Sequence, residues 1–539
     1  MNRKARIAGI AATLFLAACA HERSPVTGWD YNNPKFGGFQ VVPYEEQETG
    51  PGLVFIEGGT FTMGRTEDDV MYDWNNMPRR VTVSSFYMDE TEVTNTNYRE
   101  YLYWLNSVFG PTDYHEILVK ALPDTLCWRD PLAFNEPYVK YYLRHPAYAD
   151  YPVVGVNWLQ ASDFCKWRTD RVNEFILLRE GIIATLGFDE GDYFNTDAYL
   201  AGKFGGQINV PLHDMDPKGS GTRGVRMEDG IFLPDYRLPT EAEWEFAALG
   251  LVGNLRVEFG GVTVSQRRIY PWNGHATRNP EEKYLGEELA DFKIGGGDNM
   301  GVAGNLNDAA DITAPVYSFW PNDYGLYGMA GNVSEWVMDV YRPLTPEDES
   351  DFRSFRGNVF KTPVVQDGEI QTEDSIEYDS HVVKAQDGSI IDTLNDIVGV
   401  PGQVKYRPVT SKGNQQNVKT DNLIGQFARR NYNASTGHDA DYRDYKDGDI
   451  VSSQYYHNMQ QAGQMGNKVM YETGTSTLIG DDTHVYKGGS WKDRAFWMSP
   501  GTRRYLDEHQ ATDYIGFRCA MTRVGSPLGL GGKQAGGHD

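Results

Sequence analysis

Cysteine is the most reactive side chain in this sequence, and its four copies are placed so that few reactions are open to them. Cys127, Cys165 and Cys519 have no CxxC neighbour, and the 11 histidines are scattered, so no zinc ligand set is readable. Three thiols permit at most one internal disulfide, which excludes a disulfide framework. Cys165 falls at helical spacing with Trp158, Ala161 and Val172 and reads as a small core residue. Cys19 is different. It follows Leu16-Ala17-Ala18, a lipobox, after Arg3, Lys4 and Arg6 and an apolar run over 7–18 that is too short to span a bilayer. The expected chemistry is lipidation of the Cys19 thiol, which holds the chain to a membrane face.

Oxygen donors gather elsewhere. Gly304-Asn305-Leu306-Asn307-Asp308-Ala309-Ala310-Asp311 packs amides, carboxylates and backbone carbonyls into one loop, the donor type a hard cation such as calcium takes. The plainer alternative is an Asx-rich turn satisfying its own backbone. Asp235, Glu241, Glu243 and Glu245 invite a paired-acid reading, but Glu241 and Glu245 stand four apart on a helix and are expected to face water. Ile294-Gly295-Gly296-Gly297-Asp298-Asn299 lacks the lysine of a phosphate loop and reads as a turn. No Ser/His/Asp arrangement is readable.

The elements that must position these residues are short. Residues 52–64 read as strand, glycine turn and strand, and 81–88 as a further β-rich run. Thr94 or Asn95 caps a helix carrying Tyr98, Tyr101, Leu102 and Leu105 on one face. Trp158 opens a second helix. Thr240-Glu241-Ala242-Glu243 is a capping box ahead of Trp244, Ala247 and Ala248. The chain closes on Lys487-Gly488-Gly489-Ser490-Trp491 and Gly516-Phe517-Arg518-Cys519-Ala520, where 514–521 alternates as a buried strand would.

At 539 residues with 40% hydrophobic content, the chain can bury a substantial core. Twelve Trp, 33 Tyr and 58 Gly suggest a loop-rich fold that packs rings between irregular segments. A net charge of −25 argues against nucleic acid as a partner and disfavours anionic lipid. Loss of a leader holding Arg3, Lys4 and Arg6 makes the mature chain more acidic still. Residues 1–18 read as a lipoprotein signal peptide, 19–50 as anchor and tether, 51–524 as one domain and 525–539 as a tail. No aspartate follows Cys19, which favours the outer membrane, periplasmic face.

The order of motifs GGTFTMG, FYMDETEVTNTNY, YPVVGVNW, YRLPTEAEWEFAA, YPWNG, GLYGMAGNVSEW, GGSW and GFR, between residues 58 and 518, resembles the sulfatase-modifying factor (formylglycine-generating enzyme) domain family. The resemblance implies an α+β fold similar to C-type lectins, here broken by insertions at about 175–233 and 342–484. Active members carry two copper-holding cysteines between GGSW and GFR. This chain has none between Ser490 and Arg518, and Asp493, Met498 and Ser499 cannot replace a thiolate pair. No copper and no catalysis are therefore expected. The family's first calcium would fall on Asn305, Leu306 and Ala310 with Asp308, or Asp311 in its place. A second would fall on Met329, Gly331, Val333 and Glu335, with Gly328 where the family has an asparagine.

Residues 68–76, 122–126, 142–148 and 167–174, with TGW and GGF after the lipobox, look like gliding-motility lipoproteins of Bacteroidota. That resemblance implies a non-catalytic scaffold whose partners are lipoproteins and other proteins of the gliding and type IX secretion apparatus. The alternatives are a cysteine-modifying oxidoreductase and a lectin-like module for glycan or peptide. The second insertion is polar and tyrosine-rich, and it is expected to bind partners and to have its ends close together.

Overall fold

The computed structural model describes residues 23–65, 76–184, 193–250, 256–259, 262–265, 268–294, 310, 312–341, 361–384, 390–408 and 482–525. Two four-stranded sheets carry the core. One runs Leu53–Ile56, Phe86–Asp89, Ala520–Thr522, Tyr236–Arg237, antiparallel throughout. The other runs Arg504–Asp507, Thr483–Lys487, Ser334–Val340, Ile515–Gly516, and only its last pair is parallel. The closing segment thus leaves one sheet at Gly516 and enters the other at Ala520. Phe517, Arg518 and Cys519, all fully buried, form the joint.

The helices start where side chains can satisfy orphan backbone N–H groups. Thr94 and Asn97 make a reciprocal capping box for Asn95–Val108, Asn157 and Gln160 make one for Trp158–Arg179, and Thr240 and Glu243 make one for Glu241–Leu249. The first helix buries Tyr98, Tyr101 and Leu105 as its spacing predicts. Tyr98 stacks on Phe164 of the long helix, with ring centroids 5.8 Å apart, and meets Phe517 edge-on at 6.4 Å. Burial of each such ring contributes about 1.5–3 kcal/mol. Cys165 lies on the same buried face of the long helix.

Gly488 has φ +97°, and a Cβ there would come within 3.1 Å of the Trp244 ring. Glycine at this point lets the strand end pass over the most buried face of Glu241–Leu249.

The described parts of the segments read as insertions pack on the domain. The first begins while the long helix is still running, to Arg179, and then builds its own apolar cluster from Leu177, Ile182, Phe194, Tyr199, Val225 and Phe232. The described part of the second contains the hairpin Glu377–Lys384 and Ile390–Gly399. Its two ends meet: Tyr341 N–H donates to Thr483 O at 2.7 Å. Thr483 and His484 belong to the core sheet, so the boundary at residue 484 moves back to 482. Residues 38–50, read as tether, dock on the domain. Gln40 donates to His213 O, and Glu48 pairs with Arg179. Among the described residues, no helix is long and apolar enough to cross a membrane.

Candidate functional site

The loop from Gly488 to Arg504 is the one to which the motif resemblance assigns the oxidative residues. Here Asp493 accepts from both nitrogens of Arg504, at 2.6 and 2.7 Å, and from the Ser490 hydroxyl at 2.6 Å. Arg504 is itself sandwiched, with its guanidinium carbon 4.7 Å from the ring centroids of both Tyr486 and Trp497. Met498 is fully buried among Ala290, Phe292 and Ala330. Ser499 offers its carbonyl oxygen to Thr502. With Asp493 held by Arg504, this loop offers oxygen donors and one buried thioether but no thiolate.

Two of the described thiols, Cys127 and Cys519, are also quiet. Burial, then the charges of Asp513 and Asp124, push the Cys127 thiol up to about 12. Burial holds the Cys519 thiol well above its ordinary value. Little thiolate is present at neutral pH, and thiolate is the nucleophile. Cys127 borders a cavity of about 420 Å³ shared with Trp128, Lys293, Trp491 and Asp513, a feature with no signal in the sequence.

Behind that loop lies a buried ionic layer. Arg518 donates to Glu335 through Nε and Nη2, each at 2.6 Å, and Trp244 Nε1 adds a third bond to Glu335 at 2.8 Å. Asn332, in the left-handed region at φ +59°, donates to Glu92 Oε1 at 3.0 Å. Glu92 Oε2 is buried with no hydrogen-bond partner among the described residues. Burial pushes the Glu92 carboxyl up to about 7; Arg518 pulls it down and Glu335 pushes it further up.

This layer bears on the second calcium set, Met329, Gly331, Val333 and Glu335. A Cβ on Gly328 would lie 2.3 Å from Glu92 Oε1, so the Glu92 carboxylate fills the space into which an asparagine would project. Glu335, the one carboxylate of the set, turns both oxygens to Arg518 and Trp244. Of the first set, Asn305, Leu306, Asp308 and Asp311 lie outside the described residues and only Ala310 lies within them; Cys19 also lies outside.

The acids expected to face water do not. Glu241 and Glu245 are buried. Glu241 accepts from Arg503 at 2.7 and 2.8 Å and from Lys487 at 3.3 Å. Glu245 accepts from Lys487 at 3.0 Å and from the Gly64 N–H at 2.7 Å. Burial would raise the Glu241 carboxyl, but Arg503 and Lys487 outweigh it and hold it below the ordinary range. Their partners come from more than 180 positions away in sequence, so local spacing could not reveal them.

Comparison with known proteins bears on this arrangement. Residues 38–382 match the sulfatase-modifying factor enzyme 1-like domain family. The formylglycine-generating enzyme of Mus musculus is 26% identical over 305 residues, covering 53% of this chain and 58% of that protein. The inactive C-alpha-formylglycine-generating enzyme 2 of Mus musculus is 25% identical over 329 residues, covering 57% and 73% respectively. The chain spans less than two thirds of the formylglycine-generating enzymes of mouse and of Bos taurus, 58% and 57% of their lengths. Among solved structures, PvdO from Pseudomonas aeruginosa is similar at 14% identity and a TM-score of 0.35, covering 87% of this chain and 94% of PvdO. At that score it carries no weight for the fold.

Proposed function

The chain belongs to the sulfatase-modifying factor enzyme 1-like domain family, and on that premise we propose that it is a non-catalytic member, a lipid-anchored scaffold of the gliding-motility and type IX secretion machinery of the GldJ kind. The family includes formylglycine-generating enzymes and inactive relatives alike. The observation that carries the non-catalytic reading is the Asp493–Arg504 pair. It occupies the loop from which the active relatives' chemistry would come, and no cysteine stands between Ser490 and Arg518. A carboxylate held by a stacked guanidinium has no electron to give and no soft donor to offer. The resemblance in residues 68–76, 122–126, 142–148 and 167–174 supports the motility and secretion assignment, and the lipobox at Cys19 supports an outer-membrane anchor facing the periplasm.

Two measurements test the reading together. Purified protein loaded with copper should convert no cysteine in a peptide substrate beyond a metal-free control. Mild crosslinking in native membranes should recover proteins of the secretion or gliding apparatus. Copper-dependent turnover lost on mutation within 490–518 overturns the first half, and recovery of none of those proteins overturns the second. Within this reading one calcium would be held by Asn305, Leu306 and Ala310 with Asp308, or Asp311 in its place.

A further inference from the structure

Six of the 25 strongly exposed large apolar side chains among the described residues fall within 19 consecutive positions: Val26, Trp29, Phe36, Phe39, Val42 and Tyr44. Residues 29–41 are held in a compact knot, and Tyr44 lies beyond it against Gly525. Asn32 N–H donates to Phe39 O, and the Asn32 side chain makes two bonds across to Val41, at 2.9 and 3.0 Å. Tyr31 and Phe39 pack at 5.7 Å between ring centroids, and the Trp29 ring lies so close to Gly37 that a Cβ there would meet it at 3.1 Å. One side of the knot is fixed to the first insertion. Gly38 lies so close against Met215 O that a Cβ would sit 1.9 Å from it, and Arg223 holds Gln40. A loop ordered this tightly has no entropic reason to leave its rings in water; Val26 is 90% exposed and Phe39 67%. Six exposed large apolar side chains in one short segment mark a docking surface.

Position identifies what docks. Residues 23–44 hold Arg23, Lys35 and one acid, Asp30, which Arg23 neutralises at 3.0 Å, and the acids Glu45, Glu46 and Glu48 follow beyond the exposed rings. Only three residues separate Cys19 from Arg23, four chain steps with a reach of about 14 Å at full extension. Trp, Tyr and Phe beside a basic residue are the composition that settles at the level of lipid headgroups.

We propose that residues 26–44 form a membrane-seating surface, in which Trp29, Phe36 and Phe39 enter the interface of the bilayer that holds the acyl chains of Cys19. This rests on the lipoprotein reading above. Seating would turn the anchor from a flexible leash into a fixed footing and set the orientation of the whole domain on the membrane.

The test uses the intact acylated protein reconstituted in phosphatidylcholine vesicles, with hydroxyl-radical oxidation read residue by residue. Trp320 is the internal reference, because its exposure, 53%, is close to the 57% of Trp29. In the unacylated Cys19→Ser chain without vesicles, the two tryptophans should oxidise to similar extents. On vesicles, the Trp29 to Trp320 ratio should fall at least threefold, with Phe39 following Trp29. A ratio unchanged on vesicles, in protein that floats with them, overturns the seating surface alone. A ratio already low without vesicles means the chain covers its own rings and overturns it equally. Failure of the wild-type protein to float overturns the lipoprotein reading, and the seating surface falls with it.

Discussion

Arg518 closes on Glu335 with two bonds of 2.6 Å, and neither side chain has any exposed surface. The pair joins the segment that bridges the two sheets to the strand Ser334–Val340, whose residues Ser334 and Glu335 pair in parallel with Ile515 and Gly516. A guanidinium meets a carboxylate with two parallel bonds, which lysine cannot do. Arg518→Ala would leave Glu335 as an uncompensated buried charge beside Glu92, and a loss of about 3–5 kcal/mol is expected. Arg518→Lys should recover part of it. Urea unfolding of the three proteins measures this, and equal midpoints for wild type and Arg518→Ala would show the pair to be dispensable.

Glu92 gives the fold a pH dependence of known sign. Its carboxyl stands near 7 in the folded protein against an ordinary 4.5. The native state therefore keeps a proton that the unfolded chain releases. The contribution is complete below pH 4.5 and is lost as pH rises through 7. The gap corresponds to roughly 3 kcal/mol. Glu92→Gln removes the titration but keeps the shape, so the stability of the variant relative to wild type should rise between pH 5 and pH 8. Parallel stability profiles across that range would contradict the assignment.

Cys165 Sγ lies 3.4 Å from Cys519 Sγ, across 354 positions of sequence. Closure would release two protons and two electrons to a disulfide oxidant such as oxidised glutathione, which becomes two thiols. Because burial suppresses the Cys519 thiolate, the reaction should be slow in the folded protein and efficient during refolding. Refolded, oxidised protein should be two hydrogens lighter and more stable by about 2–4 kcal/mol. Cys165→Ser should abolish both changes; a reductant response that survives in this variant would refute the pairing.

Much of this was legible in the chain, and the gaps have a physical pattern. The capping box at Thr240 and Glu243 and the buried face of Tyr98, Tyr101 and Leu105 depend on residues three or four apart, and both stand as read. Gly488 and Trp244 could be read separately as a bend and a buried ring, though not as neighbours. Glu241, Glu245 and Glu92 escape a local reading because their environment is set by Lys487, Arg503, Asn332 and Arg518, which arrive only when the chain closes. Short-range pattern reports helix faces well. It is silent on charges buried by distant partners.

Calcium at the 304–311 loop is testable through stability. A ligand that binds only the native state raises the melting temperature by mass action. Chelation should lower it, and Asp308→Ala should remove the response. Identical melting curves with calcium and with chelator would dismiss the ion.

The described part of the second insertion reaches both the core and the first insertion. Its hairpin is fastened to the domain by Tyr378 to Glu116 at 2.8 Å, Lys120 to Asn395 O at 2.9 Å and His509 to Asp396 at 2.8 Å. Ile376, Ile397 and Val400 pack against the main apolar cluster. It also meets the first insertion, where Tyr193 donates to Pro401 O at 2.7 Å and Tyr406 to Asp197 at 2.9 Å. Replacing 342–482 with a Gly/Ser linker joins ends that already touch at Tyr341 and Thr483, yet it strips Tyr193 and its neighbours of their cover. That variant should fold with a clearly lowered melting temperature. Replacing only 409–481 keeps every one of these contacts, and loop-closure entropy changes by only about 0.6 kcal/mol per doubling of length. Its melting temperature should stay close to wild type. If residues 409–481 are the partner-binding portion, this stable variant should remain membrane-anchored and lose crosslinking to the secretion and gliding proteins. Retained crosslinking and motility would instead assign partner binding to the docked hairpin or to the core.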